Sequence, residues 1–120
     1  MSTELKIRTK SFALRILKLV EALPNSKSGR IIASQIGRAG TSVGANYRAA
    51  CRGRSKAEFI AKLGIVEEEA DECVYWLEII EDGKVLPVRK IVSLKQEAEE
   101  ILAITVASII TATRKKVKTA

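Results

Sequence analysis

The stretch IGRAGTSVGANYRAACRGRS, residues 36–55, decides how this chain is read. It holds four glycines (Gly37, Gly40, Gly44, Gly53) and four arginines (Arg38, Arg48, Arg52, Arg54), and no acid. Its apolar residues nonetheless keep helical spacing. Together with Ile32 just before, Ile36, Ala39, Val43, Tyr47 and Ala50 share one face. A glycine inside a helix costs about 1 kcal/mol relative to alanine. On a wheel, Ala33, Gly37, Gly40, Gly44 and Cys51 form a narrow strip beside the apolar face. Glycines confined to one strip imply that a neighbouring backbone comes close there and offsets their cost by packing. RGRS breaks this helix at Gly53.

The same spacing continues on both sides. Phe12, Ile16, Leu19, Val20 and Leu23 predict a first helix, stopped by PNS at Pro24. The second helix starts near Ser28. Ser55 and Glu58 have the spacing of a capping box, which starts a third helix at Ser55. Its inner face carries Phe59, Leu63, Val66, Ala70, Cys73, Leu77 and Ile80, and EDGKVLP ends it. A fourth helix carries Ile91, Leu94, Ala98, Ile101, Thr105, Ile109 and Ala112, close to a heptad pattern. No strand-like alternation, internal repeat or long linker interrupts the series. Four amphipathic helices joined by short loops predict an all-α, up-down antiparallel four-helix bundle. It forms one domain over residues 1–120, with a basic tail at 114–120. The two middle helices should each be about 37 Å long.

Composition narrows the function classes. The chain has 120 residues, 47% of them hydrophobic and only 4% aromatic. The core is therefore aliphatic, and aromatic platforms for stacking nucleic-acid bases are not available in number. There is no histidine, so the commonest general base and the commonest metal ligand are absent, and no metal or cofactor is expected. Carboxylates at Glu68, Glu69 and Glu72 read as a solvated face before they read as a metal or catalytic site, and no catalytic residue is assigned. By antiparallel register Cys51 and Cys73 lie roughly 25 Å apart, too far for a disulfide. The polar N-terminus resembles no leader, and no apolar run reaches the ~18 residues of a membrane span. A cytoplasmic protein without membrane contact is expected.

The net charge of +7 hides an asymmetry. Residues 1–57 carry +10, residues 58–113 carry −7 and the tail carries +4. Arg30, Arg38, Arg48 and Arg52 fall within roughly 80° of one helical wheel, and Arg54 and Lys56 extend the charge into the turn. Such a stripe can track a phosphate backbone. It can also face the acids of helix three. In an antiparallel hairpin turning near Gly53, residues whose numbers sum to about 107 lie level. Arg38 is then level with Glu69, and Arg48 with Glu58. Arg52, Arg54 and Lys56, at the end of the bundle, have the fewest acidic neighbours.

A line on helix three, Ile65, Glu72, Trp76 and Ile79, lies away from its inner face. Helix four is apolar almost all round between Ile101 and Ala112. Apolar surface beyond one core predicts a subunit interface. Asn46, near Ser42 and Gln35 at the edge of the apolar face, reads either as an amide fixing helix register or as a ligand contact.

Residues 34–80, from SQIGRAG to VYWLEII, resemble the signature of four-helix-bundle proteins related to those encoded in 23S rRNA intervening sequences. The likeness covers Arg38, Ala39, Ser42, Val43, Asn46, Ser55, Glu58 and Phe59. Where many relatives read Ile-Ala-Glu-Gly, this chain has Tyr47-Arg48-Ala49-Ala50, so any role of that glutamate does not transfer. The resemblance implies a ring, typically a homopentamer. It also implies kinship with accessory proteins of diversity-generating retroelements, whose basic pentamers bind nucleic acid and a reverse transcriptase. The chain is therefore expected to be a non-enzymatic oligomer that binds RNA or DNA electrostatically. The alternative is a protein-interaction scaffold, for a reverse transcriptase or another partner, working through the acidic face of helix three and Trp76.

Overall fold

The computed structural model describes residues 2–118, with side chains from Thr3 to Arg114. Aliphatic residues at three- and four-residue spacing build four helices: α1 (Ser2–Ala22), α2 (Lys27–Cys51), α3 (Lys56–Asp82) and α4 (Val92–Lys118). A 3-10 turn over Val88–Lys90, entered through Pro87, leads into α4. Among the described residues there is no strand. The helices run up and down in chain order and form a body 53 × 23 × 21 Å.

Local chemistry sets the ends. Ser26 caps α2, its hydroxyl accepting from the Gly29 amide at 3.0 Å. Ser55 caps α3 by accepting from the Glu58 amide at 3.1 Å. The Glu58 carboxylate does not return to Ser55. It accepts from the Arg54 amide at 3.2 Å, one residue further back than a capping box requires. At the end of α3 the left-handed position is taken by Lys84 (φ 54), one residue after Gly83. Its turn closes through the Val85 amide and the Ile80 carbonyl at 3.0 Å.

The core is aliphatic. Phe12 and Ile16 of α1, Ile36 and Val43 of α2, Leu63, Val66, Leu77 and Ile80 of α3, and Ile91 and Ile101 are all fully buried. Thr9 and Thr105 are buried too, and each hydroxyl donates to its own helix, to Leu5 O at 2.9 Å and to Ile101 O at 2.8 Å. The glycine strip faces α1. A Cβ at Gly40 would meet Ile16 Cγ2 at 2.7 Å, and one at Gly44 would meet Thr9 Oγ1 at 3.3 Å and the Thr9 backbone at 3.4 Å. The close neighbour implied by the strip is the first helix. Asn46 is half-buried and donates to Ser42 O at 2.9 Å, so its amide binds the backbone of its own helix.

Consecutive helices pack closely, whereas α1 and α4 meet over a short length. That seam is held by polar contacts. Arg8 grips Glu97 through Nε at 2.7 Å and Glu100 through Nη2, and Arg15 donates to the Ser93 hydroxyl at 2.9 Å.

Candidate nucleic-acid interface

The turn between α2 and α3 positions three cations at one end of the bundle. The Arg52 amide still donates to the Ala49 and Ala50 carbonyls, closing the last turn of α2. Gly53 follows in a cramped place, where a Cβ would sit 3.1 Å from Ala50 O and 3.2 Å from the Phe59 amide. Ser55 is fixed by its cap. Arg52, Arg54 and Lys56 therefore fall on alternate residues of a tight connection, and all three are exposed. Among the described residues none has a carboxylate within ion-pair distance of its side chain.

The rest of the arginine stripe divides. Arg38 is committed to α3. Its Nη1 pairs with Glu69 at 3.1 Å and its Nη2 with Glu72 at 2.5 Å, as the antiparallel register predicts for Glu69. The same Glu72 oxygen accepts from Trp76 Nε1 at 3.2 Å. The Arg38 guanidinium holds the Glu72 carboxyl below its ordinary value; partial burial opposes this and the indole N–H assists. Arg48 makes no pair with Glu58, which is engaged with the Arg54 amide. Arg48 and Arg30 are both exposed, and Arg30 reaches only the Asn25 side-chain carbonyl at 3.0 Å. Arg114 is exposed; the side chains of Lys115, Lys116 and Lys118 lie outside the described residues.

The line read as an oligomer surface sits lower in the bundle than its spacing suggests. Ile65, Glu72, Trp76 and Ile79 are half-buried, and Trp76 and Ile79 pack against the core. The exposed large apolar side chains lie elsewhere. Ile7 (66% exposed), Leu14 and Leu17 line α1, Ile31 lies on α2 and Tyr75 on α3. Tyr75 meets Trp76 edge-on, with ring centroids 5.2 Å apart.

Beside the basic turn lies a cleft of about 700 Å³ that the sequence did not announce. Tyr47, Phe59, Ile104 and Ala107 supply much of its wall, and Gly53, Ser55 and Lys56 form part of its edge. A smaller hollow of about 170 Å³ shares Tyr47, Phe59 and Ile104 and extends to Leu5 and Arg8 at the α1–α4 seam. The cleft lies between the α2–α3 turn and the C-terminal part of α4. Burial raises the Tyr47 phenol to about 12, with Cys51 adding to the shift, so it is a neutral wall and not an acid. Cys51 and Cys73 are both free thiols. Among the described residues no group of three acidic or sulfur ligands could hold a metal ion, and no helix is long and apolar enough to cross a membrane.

The chain matches the family model described as 23S rRNA-intervening sequence protein over residues 3–107. It belongs to that family. A solved relative has the same fold: the crystal structure of a protein of unknown function from the S23 ribosomal protein family of Bacteroides thetaiotaomicron. The two are 36% identical and superpose with a TM-score of 0.81, over 87% of this chain and 96% of the other. No curated protein matches the chain. For this family member, then, the fold has a solved counterpart, while the function must be argued from its own surface.

Proposed function

We propose that this family member is a non-enzymatic, oligomeric protein of the cytoplasm that binds RNA or DNA through its basic bundle end. The observation that carries the reading is the trio Arg52, Arg54 and Lys56, exposed and without carboxylate partners among the described residues. Arg48 and Arg30 extend the surface along α2; Arg38 is withdrawn from it by Glu69 and Glu72. The family's name, which refers to a 23S rRNA intervening sequence, is consistent with an RNA context. Contacts of this kind neutralise phosphates, release counterions and read no sequence. Three to five cations bind weakly alone. A homopentameric ring would repeat them, so that avidity replaces single-site affinity. Apolar side chains left exposed on α1, Ile7, Leu14 and Leu17, supply surface for such self-association.

Fluorescence anisotropy of labelled RNA and duplex DNA across a salt series tests this. Log affinity should fall linearly with log salt, by about 0.7 per phosphate on single strands and about 0.9 on duplex. The Arg52→Glu/Arg54→Glu double variant should lose most of the binding. Absence of binding at low salt would defeat the proposal. A second reading, a protein-interaction scaffold, draws on the half-exposed Tyr75 beside Trp76 and the acids of α3. It predicts protein partners retained after nuclease treatment.

A further inference from the structure

We infer that the cleft beside the basic turn receives an unstacked base of a single strand whose phosphates rest on Arg52, Arg54 and Lys56. The inference rests on the nucleic-acid reading and adds to it a choice of single strand over duplex. Charge and shape meet here. Lys56 is both a member of the cationic trio and part of the cleft wall, and Gly53 and Ser55, which alternate with the arginines, line the cleft as well. A chain of phosphates on the turn therefore lies at the mouth of an apolar space. At about 700 Å³ the space is within the range of roughly 300–1,000 Å³ typical of small-molecule sites.

Its lining suits a flat ring. Phe59 is half-buried, and it and Tyr47 line both the main cleft and the smaller hollow. Small Ala107 stands on the facing helix α4. Every base has a π-face, so an aromatic wall accepts any of them. The lining offers few hydrogen-bonding groups, chiefly the Tyr47 and Thr111 hydroxyls, each able both to donate and to accept and so to serve any base. Ser108 donates to Ile104 O and Ser55 accepts from the Glu58 amide, and among the described residues no buried polar side-chain atom lacks a partner. Entry should thus be indifferent to sequence. A duplex keeps its bases stacked and paired, and extruding one carries an unpairing cost that a single strand does not meet. An acidic amphipathic helix would also match a basic rim and an apolar floor. With side chains it is about 10–12 Å across, so it would rest on the rim while a planar base enters.

The experiment compares three fluorescein-labelled probes of about 12 nucleotides at equal salt. One is a single-stranded RNA, one the same backbone with abasic residues, and one a duplex. The abasic strand keeps the charge and removes only the bases. Wild-type protein should bind the base-bearing strand about 5- to 150-fold more tightly than the abasic one, the range of stacking on an aromatic wall. Phe59→Ala should abolish that ratio. Because Phe59 also packs on the core, Ala107→Leu is the second variant: Ala107 is exposed, and leucine narrows the cleft opposite Phe59 without touching the interior. It should lower the ratio while leaving abasic binding unchanged. Equal binding of base-bearing and abasic strands would overturn the inference, as would a duplex that competes equally well. So would a ratio that Ala107→Leu leaves unchanged. Dissociation of an oligomer by Ala107→Leu would show a second copy in the cleft and would equally overturn it. In each of these cases salt-dependent binding lost in Arg52→Glu/Arg54→Glu keeps the electrostatic reading intact; if no probe binds at low salt, both fail.

Discussion

Replacing Gly40 by alanine should loosen this fold, whereas the same change at Gly64 should tighten it. Both glycines lie inside helices, and both substitutions gain about 1 kcal/mol of helix propensity. At Gly64 the new Cβ would find nothing within 4 Å, so the gain stands. At Gly40 it would lie 2.7, 2.8 and 2.9 Å from Ile16 Cγ2, Cγ1 and Cβ. Ile16 is fully buried and has no solvent to retreat into, and its Cβ moves only if the backbone of α1 moves. Overpacking of that kind costs about 1–3 kcal/mol. The two variants should therefore differ by about 2 kcal/mol. Unfolding a chain of 120 residues releases about 250 cal/mol/K, so each kcal/mol shifts the melting midpoint by about 4 °C. Gly64→Ala should melt about 8 °C above Gly40→Ala. Gly37→Ala, whose Cβ meets Val20 at an ordinary 3.7 Å, should side with Gly64. Gly44→Ala, facing Thr9 at 3.3–3.4 Å, should fall between. Helical circular dichroism followed through heating, at one protein concentration for all variants, measures the series. A Gly40→Ala protein as stable as Gly64→Ala would refute the close approach of α1 and α2.

Other outcomes follow from single contacts. Arg38 and Arg8 hold the Glu72 and Glu97 carboxyls below their ordinary value of 4.5. A carboxyl depressed in the folded state stabilises it above the unfolded value and loses this as pH falls through the folded one. Urea midpoints should thus drop below about pH 4.5, less steeply in Glu72→Gln; identical slopes would exclude the Arg38 pair as a cause. Burial pushes the Cys73 thiol up to about 12, so a thiol-titrating disulfide reagent should modify it only after denaturation, while half-buried Cys51 reacts in the native protein. Arg38→Ala should lower the melting midpoint and leave the salt slope of nucleic-acid binding unchanged, the reverse of Arg52→Glu/Arg54→Glu. Lys84→Gly, at a left-handed position, should add about 1 kcal/mol in urea unfolding, and no gain would mean that Lys84 is not strained.

How much of this was readable beforehand depends on the range of the interaction. Helix identity follows from spacing within each segment, and the Ser55 cap from residues three apart. The Arg38–Glu69 pair follows from the hairpin register alone. Arg48 and Glu58, level by the same register, form no ion pair, and Glu58 accepts from the Arg54 amide at the start of its own helix. The glycine strip announces a close neighbour, but nothing in the strip says that it is α1. Trp76 and Ile79 read as surplus surface on a wheel of α3 alone, and contacts with the rest of the core half-cover them. The cleft had no local sign. Its walls come from α2, the α2–α3 turn and the far part of α4, residues up to 65 positions apart in the chain.

The thin α1–α4 seam also bears on how the chain reaches this structure. Nearly all close packing joins helices that follow one another, while the Arg8 contacts join residues 89 and 92 positions apart. Such a topology has low contact order and folds quickly, hairpin by hairpin, without waiting for a long loop to close. The seam should be the last edge to form and the first to part. Its ion pairs should then act on the rate of coming apart rather than on the rate of folding, with Arg8 as a latch on the lifetime of the folded state.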